Sequence, residues 1–323
     1  MKTVAIRFNV CAKVGKGHFA RCNEIAKELR LLGAHVVALI STLCDMPLEH
    51  QFDDVLVVEP LLDASQSASH CKVNGINTVL VDHYHCNYDY QRVLTDSGLA
   101  LAQYDNRCEG KYSAKLIINI NPAATHSWYQ DCDLEASVKL LLGVDYAVLN
   151  PNIAGKAFYP TEKGLFICFG GGNDNGASYQ IAKQLSHVYP YPIHLACSDK
   201  SLSAALHAQE QPQGITLHIN QSNLLRIIQH CNTALITAGT LSYEMCYLGM
   251  PFAYGYVADN QVKIASSWQK LEVGLYIGSL QQALSDANLS TLIHYLLNAT
   301  ALKQGECLDA NGAKRIAKAI SCL

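Results

Sequence analysis

The strongest constraint on the fold of this chain is its regular alternation of short apolar runs with polar or helix-forming stretches. In the first half, the apolar runs include TVAIRF, HVVALI, DVLVV, TVLVD, LALAQY and KLIINI, and stretches of about 10 to 20 residues separate most of them. Such runs, rich in Val, Ile and Leu, are typical of strands that are buried on both faces of a parallel sheet. The alternation therefore predicts an α/β protein built from βαβ units.

The pattern loosens near residues 145 to 163 and then begins again. The loose segment, DYAVLNPNIAGKAFYPTEK, holds two prolines and a glycine, and it is followed by the apolar runs GLFICF, PIHLAC, ITLHI, TALIT and PFAYGY. A chain of 323 residues, half of them apolar, can build two hydrophobic cores. We predict two Rossmann-like domains, residues 1–150 and 151–323, whose parallel sheets face a central crevice, where open α/β sheets bind their ligands.

Composition argues against several functional classes. The formal net charge is −3 and the basic residues are scattered, so we expect no nucleic-acid partner. No run approaches the roughly 18 apolar residues of a membrane span, and the first apolar run is too interrupted for a signal peptide, so we expect a cytoplasmic protein with no membrane partner. The 13 cysteines are spread along the chain without a C-x-x-C pair, which favours reduced, buried thiols over disulfides.

The first candidate site is VGKGHFARC, residues 14–22, between the first predicted strand and an amphipathic helix. Gly15 and Gly17 allow a tight turn and close approach of the backbone to a ligand. His18 falls at the carboxyl end of the strand, which is where such sheets bind ligands, and its imidazole suits proton transfer near neutral pH. On these residues alone, a histidine that only caps the loop is an equal alternative.

The second candidate site is TAGTLSYEMCYLGMP, residues 237–251. A strand ends at Thr237, Gly239 permits an unusual backbone angle, and a helix begins near Thr240, so free N–H groups and the positive helix end converge on a spot suited to phosphate. Glu244, about one turn into the helix, can accept hydrogen bonds from a ribose diol. The alternative is a carboxylate that only complements the helix dipole.

Three further stretches follow predicted strands. GGGNDNG, residues 170–176, contains Gly171 and Gly172, but its spacing is not G-x-G-x-x-G, and a flexible turn is an equal alternative to a phosphate loop. VDHYH and ADNQ carry five polar or aromatic residues that we expect to orient the hydroxyl and amide groups of a sugar: Asp82, His83, Tyr84, Asn260 and Gln261. Loop capping by Asp and Asn is the alternative for both stretches.

Two apparent metal motifs are not favoured. His83, His85 and Cys86 lie close together on one predicted loop, without a distant fourth ligand of suitable spacing. Asp131-Cys132-Asp133 has the D-x-D form, but it falls in a polar stretch that favours a surface helix start. We therefore expect neither a metal ion nor another cofactor.

Together these motifs resemble a known family. In the order VGKGHFARC, LVDHYH, LLLGVDYAVLNP, CFGGG, TAGTLSYEMCYLGMP and ADNQ, they are similar to the hydrolases of pseudaminic acid biosynthesis that remove UDP from UDP-2,4-diacetamido-2,4,6-trideoxy-β-L-altropyranose. The resemblance runs from about residue 4 to 265. It implies the GT-B fold of the MurG-type N-acetylglucosaminyltransferases, with UDP held by the carboxyl-terminal half.

The resemblance also implies roles for individual residues. His18 would be the general base for water, with Tyr84 and Asn260 lining the sugar site. Glu244 would hold the ribose. Five backbone positions would lie at or near the phosphates: Gly171, Gly172, Gly239, Thr240 and Leu241. The chain departs from the family where Arg7 is followed by Asn9 and Val10 rather than by the usual Asp and Ala.

The predicted reaction is hydrolysis at the anomeric carbon of a UDP-sugar. A departing diphosphate needs N–H donors rather than a proton, so one base suffices, whereas glycoside hydrolysis uses two carboxylates. The first alternative is a MurG-type glycosyltransferase that uses a UDP-amino sugar donor, with His18 activating an acceptor hydroxyl. Five acidic residues argue against an acceptor on an anionic membrane: Glu49, Asp53, Asp54, Glu59 and Asp63. The second alternative is a UDP-sugar-binding protein without catalysis. The sequence predicts no particular oligomeric state.

Overall fold

The computed structural model describes residues 2–10, 17–42, 46–170, 174–199, 213–221, 223–281, 284–301 and 303–323. The chain forms two compact units: unit 1 comprises Met1–Val148 and Asn311–Leu323, and unit 2 comprises Leu149–Ala310. The predicted second domain, 151–323, differs from unit 2 at its carboxyl end, because the last helix packs on the core of unit 1.

Unit 1 contains a seven-stranded sheet in the order β3-β2-β1-β4-β5-β6-β7, with every strand pair parallel. Its strands are β1 (Thr3–Phe8), β2 (His35–Ser41), β3 (Asp54–Val58), β4 (Thr78–Asp82), β5 (Ala100–Tyr104), β6 (Leu116–Asn119) and β7 (Lys139–Leu142). Its helices are α1 (Gly17–Leu31), α2 (Asp63–Val73), α3 (Tyr88–Asp96) and, from the end of the chain, α9 (Gly312–Ser321). Short 3-10 turns lie at Pro60–Leu62, His126–Tyr129 and Val144–Tyr146.

Alternate residues of β1 pack on opposite faces of this sheet. Val4, Ile6 and Phe8 join the core with α1 and α9, whereas Ala5 joins the core on the side of α2 and α3. Each Leu or Ile buried here contributes roughly 1.5–3 kcal/mol to folding.

The start of α9 lies against residues 146 and 147. A Cβ atom on Gly312 would come 2.0 Å from the carbonyl oxygen of Ala147, so only glycine permits this approach. At the other end of α9, Lys2 Nζ donates to the carbonyls of Ile320 and Ser321, at 3.2 and 3.1 Å, which satisfies acceptors that the helix leaves open. These contacts fix the last helix on unit 1.

Unit 2 contains a six-stranded sheet in the order β10-β9-β8-β11-β12-β13, again with parallel pairs throughout. Its strands are β8 (Leu165–Cys168), β9 (Ile193–Cys197), β10 (Ile215–Ile219), β11 (Thr233–Thr237), β12 (Phe252–Tyr256) and β13 (Leu275–Ser279). Its helices within the described residues are α4 (Ala177–Ser186), α5 (Leu225–Ile228), α6 (Thr240–Leu248), α7 (Asp259–Lys270) and α8 (Asp286–Asn298).

Strand order reverses once in each sheet, and these reversals locate the candidate sites. In unit 1 the chain runs from β1 outward to β3 and then restarts at β4 on the other side of β1. In unit 2 it runs from β8 outward to β10 and restarts at β11 beside β8. Open α/β sheets bind ligands beyond the carboxyl ends of the strands at such points. His18 and Asp82 belong to the first switch point, and Gly239 belongs to the second.

None of the helices that the structure describes combines the length and the apolar character that crossing a bilayer requires. The cysteines described are all free thiols, and most of them are buried.

Candidate active site

His18 is the second residue of α1 and is only 4% exposed, while Gly17 before it is exposed. The imidazole Nδ1 lies 2.8 Å from Oδ1 of Asp82, the last residue of β4. The ring also meets Tyr84 edge to face, with centroids 4.9 Å apart. Nε2 makes no hydrogen bond to any residue that the structure describes. One nitrogen of His18 is therefore held, and the other has no hydrogen-bond partner among the residues that the structure describes.

Asp82 is 1% exposed and receives several donors. Arg21 Nε donates to Oδ2 at 2.5 Å, and Arg21 Nη2 donates to Oδ1. The Cys22 thiol donates to Oδ2 at 3.4 Å. Burial of the carboxyl works to raise its pKa, but the charges of Arg21 and His18 and their hydrogen bonds outweigh burial, so the pKa of Asp82 lies well below its ordinary value. Asp82 is thus a buried, ionised carboxylate.

Arg21 follows His18 by three residues, so the two side chains share a face of α1. Burial works to lower the pKa of the guanidinium, but Asp82 outweighs it and the pKa is raised above its ordinary value. The guanidinium also lies over the ring of Tyr104, 4.7 Å from its centroid. Sequence reasoning missed Arg21, although its spacing from His18 was a usable signal.

The structure separates the three residues that the VDHYH stretch grouped together. Asp82 follows Leu80 by two residues and so lies on the same face of the sheet, the α1 side. His83 follows Val81 by two residues and so lies on the opposite face, the α2 and α3 side. Tyr84 is 42% exposed and contacts His18. The carboxylate of Asp82 is engaged by His18, Arg21 and Cys22. Its contact with a sugar stays a prediction.

His83 belongs to a second buried cluster. Its ring meets Tyr90 edge to face at 4.8 Å, and its Nδ1 accepts from the amide of His85 at 3.1 Å. Tyr90 donates to Asp63, which is paired with Arg7. Nε2 of His83 is buried without a hydrogen-bond partner among the described residues. Burial first, and then the charge of Arg7, lowers the pKa of His83 to about 3. This ring is turned away from His18.

In unit 2, Gly239 connects β11 to α6. Its φ of −122° and ψ of −149° lie outside the left-handed region, so the unusual backbone angle expected from the sequence is not a positive φ. Crowding does not require glycine either, because a Cβ atom there would lie 3.9 Å from Gln261 Nε2, an ordinary van der Waals distance. Gln261 is itself held by its Oε1, which accepts from the amide of Val257 at 2.9 Å. The structure thus brings Gln261 to the Gly239 turn.

Hydrogen bonds of Ser242 stabilise the first turn of α6. Ser242 Oγ donates to the carbonyl of Gly239 at 2.7 Å and accepts from Trp268 Nε1 at 2.8 Å. Thr240 is exposed and Leu241 is buried, and their amides belong to the turn whose N–H groups have no intrahelical acceptor. No side chain caps this helix. The arrangement can receive an anion at the start of α6.

Glu244 lies one turn further along α6 and is 4% exposed. Burial raises the pKa of its carboxyl to about 7, although a backbone hydrogen bond with Asn150 works in the opposite direction. Interaction with the helix dipole is a poor explanation for Glu244, because the dipole effect is confined to the first turn of the helix. A buried carboxyl of this kind becomes easier to ionise once ligand hydroxyls donate to it.

The remaining predicted residues are less informative. Gly171 and Gly172 lie outside the described residues. Just after them, the Asp174 carboxylate accepts from the amides of Gly176 and Ser178, at 2.9 and 3.1 Å, at the start of α4. Asn260 is exposed near the start of α7. Within the described ranges, no group of three or more His, Cys, Asp or Glu side chains could hold a metal ion.

Comparison with known proteins gives one relative by sequence. The chain is 23% identical over 271 residues to the UDP-2,4-diacetamido-2,4,6-trideoxy-β-L-altropyranose hydrolase of Campylobacter jejuni subsp. jejuni serotype O:2, covering 81% of this chain and 94% of the relative. No protein-family model matches the chain. The resemblance found in the motifs is thereby confirmed as a similarity to this hydrolase.

Solved structures give the fold. MurG of Acinetobacter baumannii superposes with a TM-score of 0.67 at 13% identity, over 100% of both chains. The kitacinnamycin glycotransferase gives 0.70 at 13% identity, over 99% of this chain and 98% of the other. A putative UDP-N-acetylglucosamine 2-epimerase from Listeria monocytogenes gives 0.67 at 11% identity, over 99% and 96%. The predicted fold class is confirmed: two parallel-sheet α/β domains of the GT-B type.

Proposed function

We propose that this protein is an enzyme that hydrolyses a UDP-linked sugar at its anomeric carbon, releasing UDP and the free sugar. The observation that carries the proposal is the setting of His18, whose Nδ1 is held by a buried carboxylate while Nε2 is left to act. The similarity to a UDP-sugar hydrolase supports the choice of water as the acceptor. We propose the substrate of that relative, UDP-2,4-diacetamido-2,4,6-trideoxy-β-L-altropyranose, and hence a place in pseudaminic acid biosynthesis.

The proposed reaction begins with a proton transfer. When Nδ1–H donates to Asp82, Nε2 carries the lone pair and can take a proton from water as the water oxygen attacks the anomeric carbon. Attack from the face opposite the leaving group inverts that carbon. Tyr84, whose ring touches the imidazole, and Asn260, exposed on α7, would contact the sugar.

The second half of the proposal concerns the leaving group. The bond from the anomeric carbon to the diphosphate oxygen breaks, and the electron pair leaves with UDP. Backbone amides of Thr240 and Leu241 and the positive end of α6 would stabilise that charge, with the Gln261 amide beside them. Gly239, whose own amide donates to the carbonyl of Thr237 at 2.8 Å, would let the diphosphate approach the backbone. Glu244 would accept hydrogen bonds from the ribose.

Other assignments complete the proposal. Gly171 and Gly172 would lie near the phosphates, as the resemblance implies, and the exposed Gly17 would let the backbone approach the substrate. We propose that the enzyme acts in the cytoplasm without a metal ion or other cofactor.

The test is a reaction without any acceptor except water. The protein is incubated in water enriched in ¹⁸O with the altrose-configured UDP-sugar and, separately, with UDP-N-acetylglucosamine, and UDP release is followed. We expect release from the first substrate, with no ¹⁸O in the UDP, because the bond that breaks joins the anomeric carbon to the diphosphate oxygen. Release only after a sugar or lipid acceptor is added would indicate a glycosyltransferase. UDP-sugar binding without release would indicate a binding protein.

A further inference from the structure

We propose that Arg21 is a positioning residue of this site. Through Asp82 it fixes which nitrogen of His18 carries the proton, and by its own charge it limits how firmly His18 retains a second proton. The kinetic consequences rest on the proposed function, whereas the state of the His18 ring can be observed without turnover.

Three atoms form a compact triangle. Asp82 Oδ1 lies 2.8 Å from His18 Nδ1, and Arg21 Nη2 lies 2.9 Å from the same Nδ1. Arg21 Nη2 also donates to Oδ1, and its Nε donates to Oδ2 at 2.5 Å. A carboxylate and a guanidinium thus approach one ring nitrogen together.

The carboxylate of Asp82 favours one tautomer of His18. If Nδ1 carries the proton, Nδ1–H and Arg21 Nη2–H both donate to Oδ1, which has the lone pairs to accept them. If Nε2 carries the proton, Nδ1 can accept from Arg21 Nη2 at 2.9 Å, but it then lies 2.8 Å from Oδ1, a second acceptor that bears negative charge. Arg21 keeps Asp82 ionised, and an ionised acceptor strengthens the first arrangement. The pair therefore leaves the Nε2 lone pair available.

The charge of Arg21 then matters when His18 accepts a proton. Asp82 alone would favour the imidazolium, because a carboxylate stabilises a nearby cation. Arg21 places a second cation 2.9 Å from the ring nitrogen and offsets that effect. The proton taken from water is therefore released more readily before the next turnover.

The other described groups near this triangle do not supply a competing charge. Cys22 lies against Asp82, and burial first keeps the pKa of its thiol well above the ordinary value, so it stays neutral. Tyr84 meets His18 through its ring, and Tyr104 packs under the guanidinium. This packing holds Arg21, which is 23% exposed, in one position.

The test compares Arg21→Met and Arg21→Lys with wild type in the full chain. For Arg21→Met we expect the acid limb of the pH–kcat profile to move up by about 1 pH unit or more, because an uncompensated Asp82 holds the proton on His18. kcat at pH 7 should fall severalfold, and by up to tenfold on the acid limb for a shift of 1 pH unit, with little change in KM. Arg21→Lys keeps the charge and should restore the position of the acid limb. Arg92→Met is the matched control, since Arg92 forms an exposed pair with Asp96 on α3.

A second measurement needs no substrate. The ¹³C–¹H signal of the His18 ring, assigned by its absence from His18→Ala, is titrated in wild type and in both Arg21 variants. A midpoint that rises in Arg21→Met and returns in Arg21→Lys supports the inference, even if wild type releases no UDP and the proposed function fails. A folded Arg21→Met protein with unchanged midpoint overturns it. If Arg21→Met does not fold, Arg21→Lys carries the test alone: a midpoint equal to that of wild type supports the role of the charge, and a raised midpoint overturns it.

Discussion

His18 and Glu244 are both buried ionisable side chains near the start of a helix, yet their surroundings differ sharply. In the His18 region an imidazole, a guanidinium and a thiol all contact the carboxylate of Asp82. Around Glu244, in the part of the chain that the structure describes, the backbone hydrogen bond with Asn150 is the one contact that opposes burial, so burial controls the pKa of the carboxyl. The first region is compensated before any ligand arrives, whereas under the proposed function the second is completed by the ribose of the ligand. We therefore expect mutations in the first region to affect the chemical step and mutations in the second to affect nucleotide affinity.

The largest effect should come from removing the base. His18→Ala is expected to lower kcat for UDP release by about 10² to 10⁴, because proton transfer from water loses its acceptor. UDP affinity, measured by calorimetry, should change little. If His18→Ala loses UDP binding together with turnover, the expectation that the His18 region affects only the chemical step is wrong.

The next effect concerns Glu244, the buried carboxyl of the second region. Glu244→Gln should weaken UDP binding about tenfold or more, since a charged acceptor for the ribose is lost. The same substitution should change how unfolding depends on pH. The folded-state pKa of about 7 lies above the ordinary 4.5, so the native state holds more protons and wild-type stability falls as pH rises through this window, by about 3 kcal/mol in all.

Urea unfolding measures this at pH 5 and pH 8, with the fluorescence of Trp268, which contacts Ser242 of α6, as the probe. Trp128→Phe leaves Trp268 as the sole tryptophan. In Glu244→Gln the decline between these pH values should be reduced by about 2.5 kcal/mol. An equal decline in both proteins would show that Glu244 is not held in the neutral form.

Removal of the Asp82 carboxylate should lower turnover less than removal of His18 does. Asp82→Asn is expected to lower kcat about 100-fold, because a neutral amide no longer fixes the tautomer of His18. Asp96→Asn, on the exposed side of α3, is the matched control and should keep wild-type turnover. Equal turnover in folded Asp82→Asn would remove the positioning role.

The smallest effect comes from the third buried group, His83. Its folded-state pKa of about 3 lies below the ordinary 6.5, so the unfolded chain binds the extra proton and stability falls as pH falls below 6.5. Between pH 7 and pH 5 this accounts for about 2 kcal/mol. His83→Phe should reduce that pH dependence in urea unfolding, whereas His85→Phe, at an exposed neighbour, should leave it unchanged.

Much of this architecture could be predicted from the sequence. Each apolar run named from the sequence lies on a strand, because the interior of a parallel sheet demands continuous apolar segments. The short strands β7 and β13 were missed, since KLLL and LYIGS are brief and partly exposed. Strand ends also located His18, Asp82 and Gly239 near the switch points, which follows from topology alone.

The sequence did not show on which face of the sheet each side chain lies, or which distant residues it contacts. Asp82 and His83 are neighbours in sequence, but the pleat sends them to opposite faces, which the parity of Leu80 and Val81 could have indicated. The role of Arg21 depends on a contact between α1 and β4, and such a contact between distant segments is not written in either one. The amphipathic pattern of α9 likewise shows a buried face without showing which sheet it covers.

The return of the last helix to unit 1 has a consequence for synthesis on the ribosome. Ile316 and Ile320 belong to the same core as Val4 and Ile6, so that core lacks part of its packing until residues 311–323 have been synthesised. Leu149–Ala310 is one uninterrupted stretch and is synthesised before them. Unit 1 should therefore reach its native state after unit 2, because its early strands wait for a helix that is made after the whole of unit 2.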